Sequence, residues 1–164
     1  MSQAVAARFG KYAAREVRVG DCVFDVVAYD KKLKMFHVVE CKKSSRVGRI
    51  GQTFGQIAAY HATLAAYGKA FGIAYNRKVP GFHLGKWMEA TNDNRHVTVA
   101  FYVALTKSAC MRFELLCALK KLIPHVGIIR VNPDGYCRSH IRVSGKRETQ
   151  LMKAHPIRIK ILRG

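Results

Sequence analysis

Two largely apolar stretches dominated by β-branched and aromatic residues, 22–29 and 35–42, flank the polar triplet Asp30-Lys31-Lys32 and predict a β-hairpin. Alternation along the second strand puts Glu40 and Lys42 on one face and turns Cys41 to the other. Asp25 lies on the first strand among Phe24, Val26 and Val27, where a carboxylate is costly unless a cation or hydrogen bonds compensate it. Upstream, Ser2 as N-cap and Val5, Phe9, Tyr12, Ala13 and Val17 at helical spacing predict a first helix. Glu16, four residues after Tyr12, then shares the apolar face of that helix, while Arg8, Lys11 and Arg15 face solvent. Downstream, a second helix is expected over about 52–67, stopped by Gly68. On it Gln56 and Tyr60 stand one turn apart, in line with Thr63 and Tyr67, beside a stripe of Ile57, His61 and Leu64.

The second half reads as the remainder of a sheet. Strands are expected at 69–75, 96–105 and 126–131, with a helix over 109–123 ended by Pro124 and a turn at 132–135. Between the first two of these strands, 76–95 reads as a long loop in which Arg77, Lys78, Lys86 and Trp87 could meet nucleic acid, although Trp87 is read in preference as a local packing anchor. Residues 155–163 alternate as a strand with one basic face. The economical architecture is an α/β domain, a mixed central sheet flanked by helices. At 164 residues a single domain buries about 70% of its unfolded surface, so 1–164 is read as one domain whose basic C-terminal part begins near 125.

Charge narrows the choice of partner. With 29 Lys and Arg against 10 Asp and Glu, the net charge is +19, so the chain calls for an anionic partner such as DNA. Residues 120–164 alone hold eleven basic and two acidic side chains. The glycine-containing connection after the second hairpin strand carries Lys43, Arg46 and Arg49, positioned to close on a phosphate backbone. Five cysteines, odd in number and without a CxxC pair, indicate neither a disulfide framework nor a zinc site and suit a reduced, cytoplasmic setting. His37 and His61 read as packed or solvated side chains. Arg8 interrupts the early apolar run before it resembles a secretory signal, and the uncharged stretch 50–68 is too polar for a membrane span.

Two acids converging beside a lysine imply a cation, and hard oxygen ligands suit Mg²⁺ or Mn²⁺. Asp25, followed after fourteen intervening residues by Glu40-Cys41-Lys42, resembles the Asp…Glu-x-Lys signature of the PD-(D/E)xK nucleases, without the proline that sometimes precedes the aspartate. Glu16 is a counterpart of the acid that many members carry on their first helix, and Gln56-Ile57-Ala58-Ala59-Tyr60 matches the Gln-xxx-Tyr element of RecB-type and lambda-type nuclease domains. The resemblance covers roughly 2–75 and implies a restriction-endonuclease-like core. It also implies Mg²⁺-dependent hydrolysis of DNA phosphodiesters, leaving 5′-phosphate and 3′-hydroxyl ends.

On that resemblance Glu16, Asp25, Glu40 and the backbone of Cys41 hold the metal. Lys42 orients water or stabilises transition-state charge, Gln56 meets phosphate or water, and Tyr60 holds Lys42 or the backbone. A structure-selective endonuclease such as a Holliday junction resolvase, acting as a homodimer, is one expectation. The Gln-xxx-Tyr element points instead to an end-processing exonuclease. A non-catalytic basic binder, with Glu40 and Lys42 as an ordinary ion pair and Glu16 paired to Lys11 or Arg15, is the third.

Overall fold

The computed structural model describes residues 1–42, 47–82, 96–106, 123–131, 137–138 and 154–162. Helix α1 spans Ser2–Phe9 and passes through one 3₁₀ turn, Gly10–Tyr12, into strand β1, Ala13–Val19. Strands β2, Cys22–Asp30, and β3, Met35–Lys42, form the expected hairpin. Helix α2, Val47–Lys78, leads to β4, His96–Thr106, followed by β5, Gly127–Val131, β6, Cys137–Arg138, and β7, Ile157–Lys160. Among the described residues these build one mixed sheet in the order β1-β2-β3-β4-β5-β6, with β7 also paired to β4. The β1–β2 and β2–β3 pairs are antiparallel, whereas β3–β4 and β4–β5 are parallel. The α/β expectation of a mixed sheet with flanking helices is met.

Each face of the sheet buries a separate apolar layer. On the α2 side Phe24, Phe36, Phe71, Tyr75 and Phe82 pack with Val38, Val99, Val103 and Leu105. Helix α1 covers the other face, where Val5 and Phe9 meet Val26, Val39, Ala104, Ile129 and Val131. Along β3 the alternation is strict, since Phe36 and Val38 belong to one layer while Val39 and Cys41 belong to the other. Along β2 it is not. Phe24 and Val27 share the α2 layer although three residues apart, so the strand steps over at Asp25 and Val26. β1 repeats this step, placing Ala14 and Val17 together in that layer.

Two expectations need correction. The first helix does not reach Val17, because Gly10, at φ 80°, leaves helical geometry and Val17 and Val19 pair with Phe24 and Cys22. Glu16 therefore lies exposed on a strand instead of on the apolar face of a helix. Nor does Gly68 end α2. A Cβ there would stand 3.0 Å from Ile161 Cγ2, so this glycine allows close packing, and the helix bends at Tyr67 (φ −128°, ψ 34°) before continuing through the segment expected as a strand. The bend leaves the Ala65 carbonyl to accept a 2.7 Å hydrogen bond from the Leu162 amide. Phe71 and Tyr75, four residues apart, then continue the buried stripe. That stripe includes Ile57, Tyr60 and Leu64, whereas His61, expected within it, is exposed.

β4, β5 and β7 coincide closely with expectation, and Arg158 and Lys160 lie on the exposed side of β7. The expected helix over 109–123 and the turn at 132–135 lie almost wholly outside the described residues, as do Lys86 and Trp87. Among the described residues, no helix is long and apolar enough to cross a membrane.

Candidate active site

The hairpin is laddered from Asp30↔Met35 down to Val26↔Val39, where the pairing stops. Beyond that point Asp25 Oδ2 accepts a 2.8 Å hydrogen bond from the Cys41 amide, so a side chain replaces a ladder partner and β2 parts from β3. Glu40 and Lys42 project on the α2 side, as alternation requires, and Lys42 Nζ lies 2.6 Å from Glu40 Oε1. From α2 the Tyr60 hydroxyl donates to Glu40 Oε2, accepts the Asp25 amide at 3.4 Å and has the Val23 carbonyl at 2.9 Å as a second acceptor. Stacking on Phe24, with ring centroids 4.5 Å apart, fixes the Tyr60 ring.

Electrostatics follow from this packing. Glu40 is only 2% exposed, so its charge depends on Lys42 and the Tyr60 hydroxyl for compensation. Burial pushes the Asp25 carboxyl up from 3.8 to about 6, and the neighbouring Glu40 adds to the rise. The Cys41 amide and Lys42 oppose it. Burial, then the contact with Glu40, also raises Tyr60, which keeps its proton for donation. Two carboxylates are thus held near each other with one lysine paired to Glu40, a donor set that a hard divalent cation would complete. Among the described residues no group of three His, Cys, Asp or Glu side chains forms a ready metal cage, so any such ion would rely on Asp25, Glu40, backbone oxygen, water and substrate.

Glu16 falls between the Arg15–Val26 and Val17–Phe24 pairs, opposite Asp25, in left-handed backbone geometry at φ 54°. It is outside the Tyr60–Glu40–Lys42 cluster but borders the same open cleft as Asp25. This cleft, about 690 Å³, is also lined by Arg18 and, from the last turn of α2, by Arg77 and Lys78. Arg77 and Lys78 were expected on a loop; they are on a helix end, and still near the acids.

Gln56 is half-buried one turn before Tyr60, and Tyr60 holds the backbone at Val23 and Asp25, one of its two expected roles, while reaching Glu40 instead of Lys42. Cys41 contributes its amide to Asp25 while its side chain packs in the α1 layer. Lys43 and Arg46 lie outside the described residues, as does the side chain of Arg49. Sequence reasoning missed Arg18 because it was read at the end of a helix; the Val17-Arg18-Val19 alternation is the signal that finds it. His37, buried as one of the two alternatives expected, stacks on Phe9 at 5.0 Å with Nε2 3.6 Å from Asp30 Oδ2.

Comparison with protein-family models, curated proteins and solved structures finds no match to this chain.

Proposed function

We propose that this protein is a divalent-cation-dependent nuclease with a restriction-endonuclease-like core, hydrolysing DNA phosphodiesters at the parted end of the β2–β3 hairpin. The observation that carries the reading is the meeting of Asp25, Glu40 and Lys42, each supplied by the strand position that the Asp…Glu-x-Lys resemblance requires. Tyr60 of the Gln-xxx-Tyr element adds support by bonding directly to one of the two acids.

Asp25 and Glu40 would hold Mg²⁺ or Mn²⁺, assisted by backbone oxygen at Cys41. When bound, the ion neutralises phosphate charge and lowers the pKa of water. Each protein group then has one task. Cys41 fixes the Asp25 carboxylate through its amide. Tyr60 holds one oxygen of Glu40, directing the other towards Lys42. Lys42, whose side chain is 37% exposed, extends its ammonium from that buried acid towards solvent, where it can stabilise charge accumulating on a phosphate under attack. Glu16 stands across from Asp25, placed to contribute through water.

A structure-selective or non-specific endonuclease is the form proposed. The test is Mg²⁺-dependent cutting of closed circular plasmid, linear duplex and a four-way junction by the wild type and by Asp25→Ala, Glu40→Ala and Lys42→Ala. The wild type should cut the closed circle, and each variant should lose about 10³-fold or more in rate while keeping salt-sensitive binding. Undiminished cutting by all three variants would falsify the assignment. Cutting of linear ends alone selects the exonuclease form, and inactivity of the wild type on every substrate selects a basic binder.

A further inference from the structure

The cleft beside Asp25 has walls of opposite charge. Glu16 and Asp25 come from β1 and β2, while Arg18 at the sheet edge and Arg77 with Lys78 at the end of α2 supply the cations. Among the described residues, no acid lies within ion-pair distance of these three cations, so their charge faces the cleft and solvent. Arg77 and Lys78 stand in the last turn of α2, where cations complement the negative end of the helix. Arg18 follows Glu16 by two residues along β1, so an acid and a cation border the cleft from the same strand. Val23 and Ala74 complete the lining given by the described residues, among which there is no aromatic ring on which a base could stack and no amide side chain to read a base edge.

Resting on the nuclease reading above, we infer that this cleft is a sequence-blind track for one nucleic-acid strand, in which Arg18, Arg77 and Lys78 hold backbone phosphates neighbouring the one presented to Asp25. Its volume of about 690 Å³ suits a few linked sugar and phosphate units. The bend of α2 at Tyr67 sets the direction of its last turns, and the Leu162–Ala65 hydrogen bond together with Ile161 against Gly68 fastens that bend. Arg77 and Lys78 are therefore delivered by a fixed element instead of a swinging loop.

The experiment measures binding of fluorescently labelled single-stranded homopolymers, dA, dT and dC, across a salt series in EDTA, where no turnover occurs. The double variant Arg77→Ala/Lys78→Ala should bind all three about tenfold more weakly, with a log–log salt slope shallower by about 1.4; Arg18→Ala should lower the slope by about 0.7. The charge-preserving pair Arg77→Lys/Lys78→Arg should retain the wild-type slope. As a control, Lys32→Ala/Lys34→Ala, at the far end of the hairpin, should leave affinity within twofold of wild type. An unchanged slope in the Arg77/Lys78 alanine pair, an equal loss in the Lys32/Lys34 control, or a loss confined to one base overturns the inference. Because metal and cutting are absent from this measurement, a slope change accompanied by a catalytically inert wild type sinks the hydrolase reading alone. An unchanged slope with robust cutting sinks the track alone.

Discussion

Asp25 and Asp30 lie on the same strand, one just beyond the last pair of its ladder with β3 and the other at the turn, and their surroundings push them in opposite directions. At the turn, Asp30 Oδ1 accepts the amides of Lys32 and Leu33 at 2.8 and 2.9 Å, and these hydrogen bonds, that of Leu33 foremost, hold its carboxyl below the usual range. At the parted end, burial pushes Asp25 up to about 6 in spite of the Cys41 amide. The first acid locks a turn and gains from being charged. The second is charged at a cost that a bound cation would relieve. Position along one strand thus separates an aspartate whose charge is favoured from one whose charge is penalised.

The contrast can be broken most strongly at the acid that carries the cost. On the proposed metal site, protonating Asp25 would remove a ligand, so the Mg²⁺ concentration giving half-maximal cutting should rise about tenfold per pH unit below pH 6. Titrations of rate against Mg²⁺ between pH 5 and 8 check this, and a flat dependence would remove Asp25 from the metal. A loss of the same order, 10- to 100-fold in rate, is expected for Tyr60→Phe, which deletes the hydroxyl that positions Glu40 and leaves the packed ring in place.

Smaller effects sharpen the comparison through stability. For Asp25 the folded pKa lies above the unfolded value, so the folded state binds the extra proton between about pH 4 and 6, and stability rises as pH falls through that window. Asp25→Asn should therefore raise the melting temperature in EDTA at pH 7.5, by about 2–4 °C for a gain of order 1 kcal/mol, while abolishing cutting. Asp30 has the reverse sign. Its folded pKa is depressed, so its contribution is present above the unfolded value of 3.8 and is lost as pH falls below it. Asp30→Ala should cost about 1 kcal/mol in urea unfolding and leave cutting at the wild-type rate.

The sequence exposed the parts of the site governed by short-range rules. Glu40 and Lys42 share a face because they are two residues apart on a regular strand, and Gln56 and Tyr60 fall one turn apart because α2 is helical there. What it concealed depends on contacts between distant segments. Nothing in the twenty-residue separation of Glu40 and Tyr60 signals their hydrogen bond, and Gly68 resembles a helix terminator until Ile161 is seen packed against it. β1 was misread because Val5, Phe9, Tyr12 and Val17 satisfy helical spacing, although the chain leaves helical geometry at Gly10. The acid on the wrong element, Glu16, is nevertheless carried by β1 to a position opposite Asp25.

Glu16 has a consequence for how this molecule keeps company with its own copies. β1 is the outermost strand on its side of the described sheet, and such a border offers a row of amides and carbonyls to any passing chain. Here the row is broken by a residue turned to φ 54° and guarded by exposed Arg15 and Arg18. A second copy attempting to extend the sheet would meet a kinked border and repelling guanidinium groups, which protects a concentrated solution from strand-by-strand aggregation.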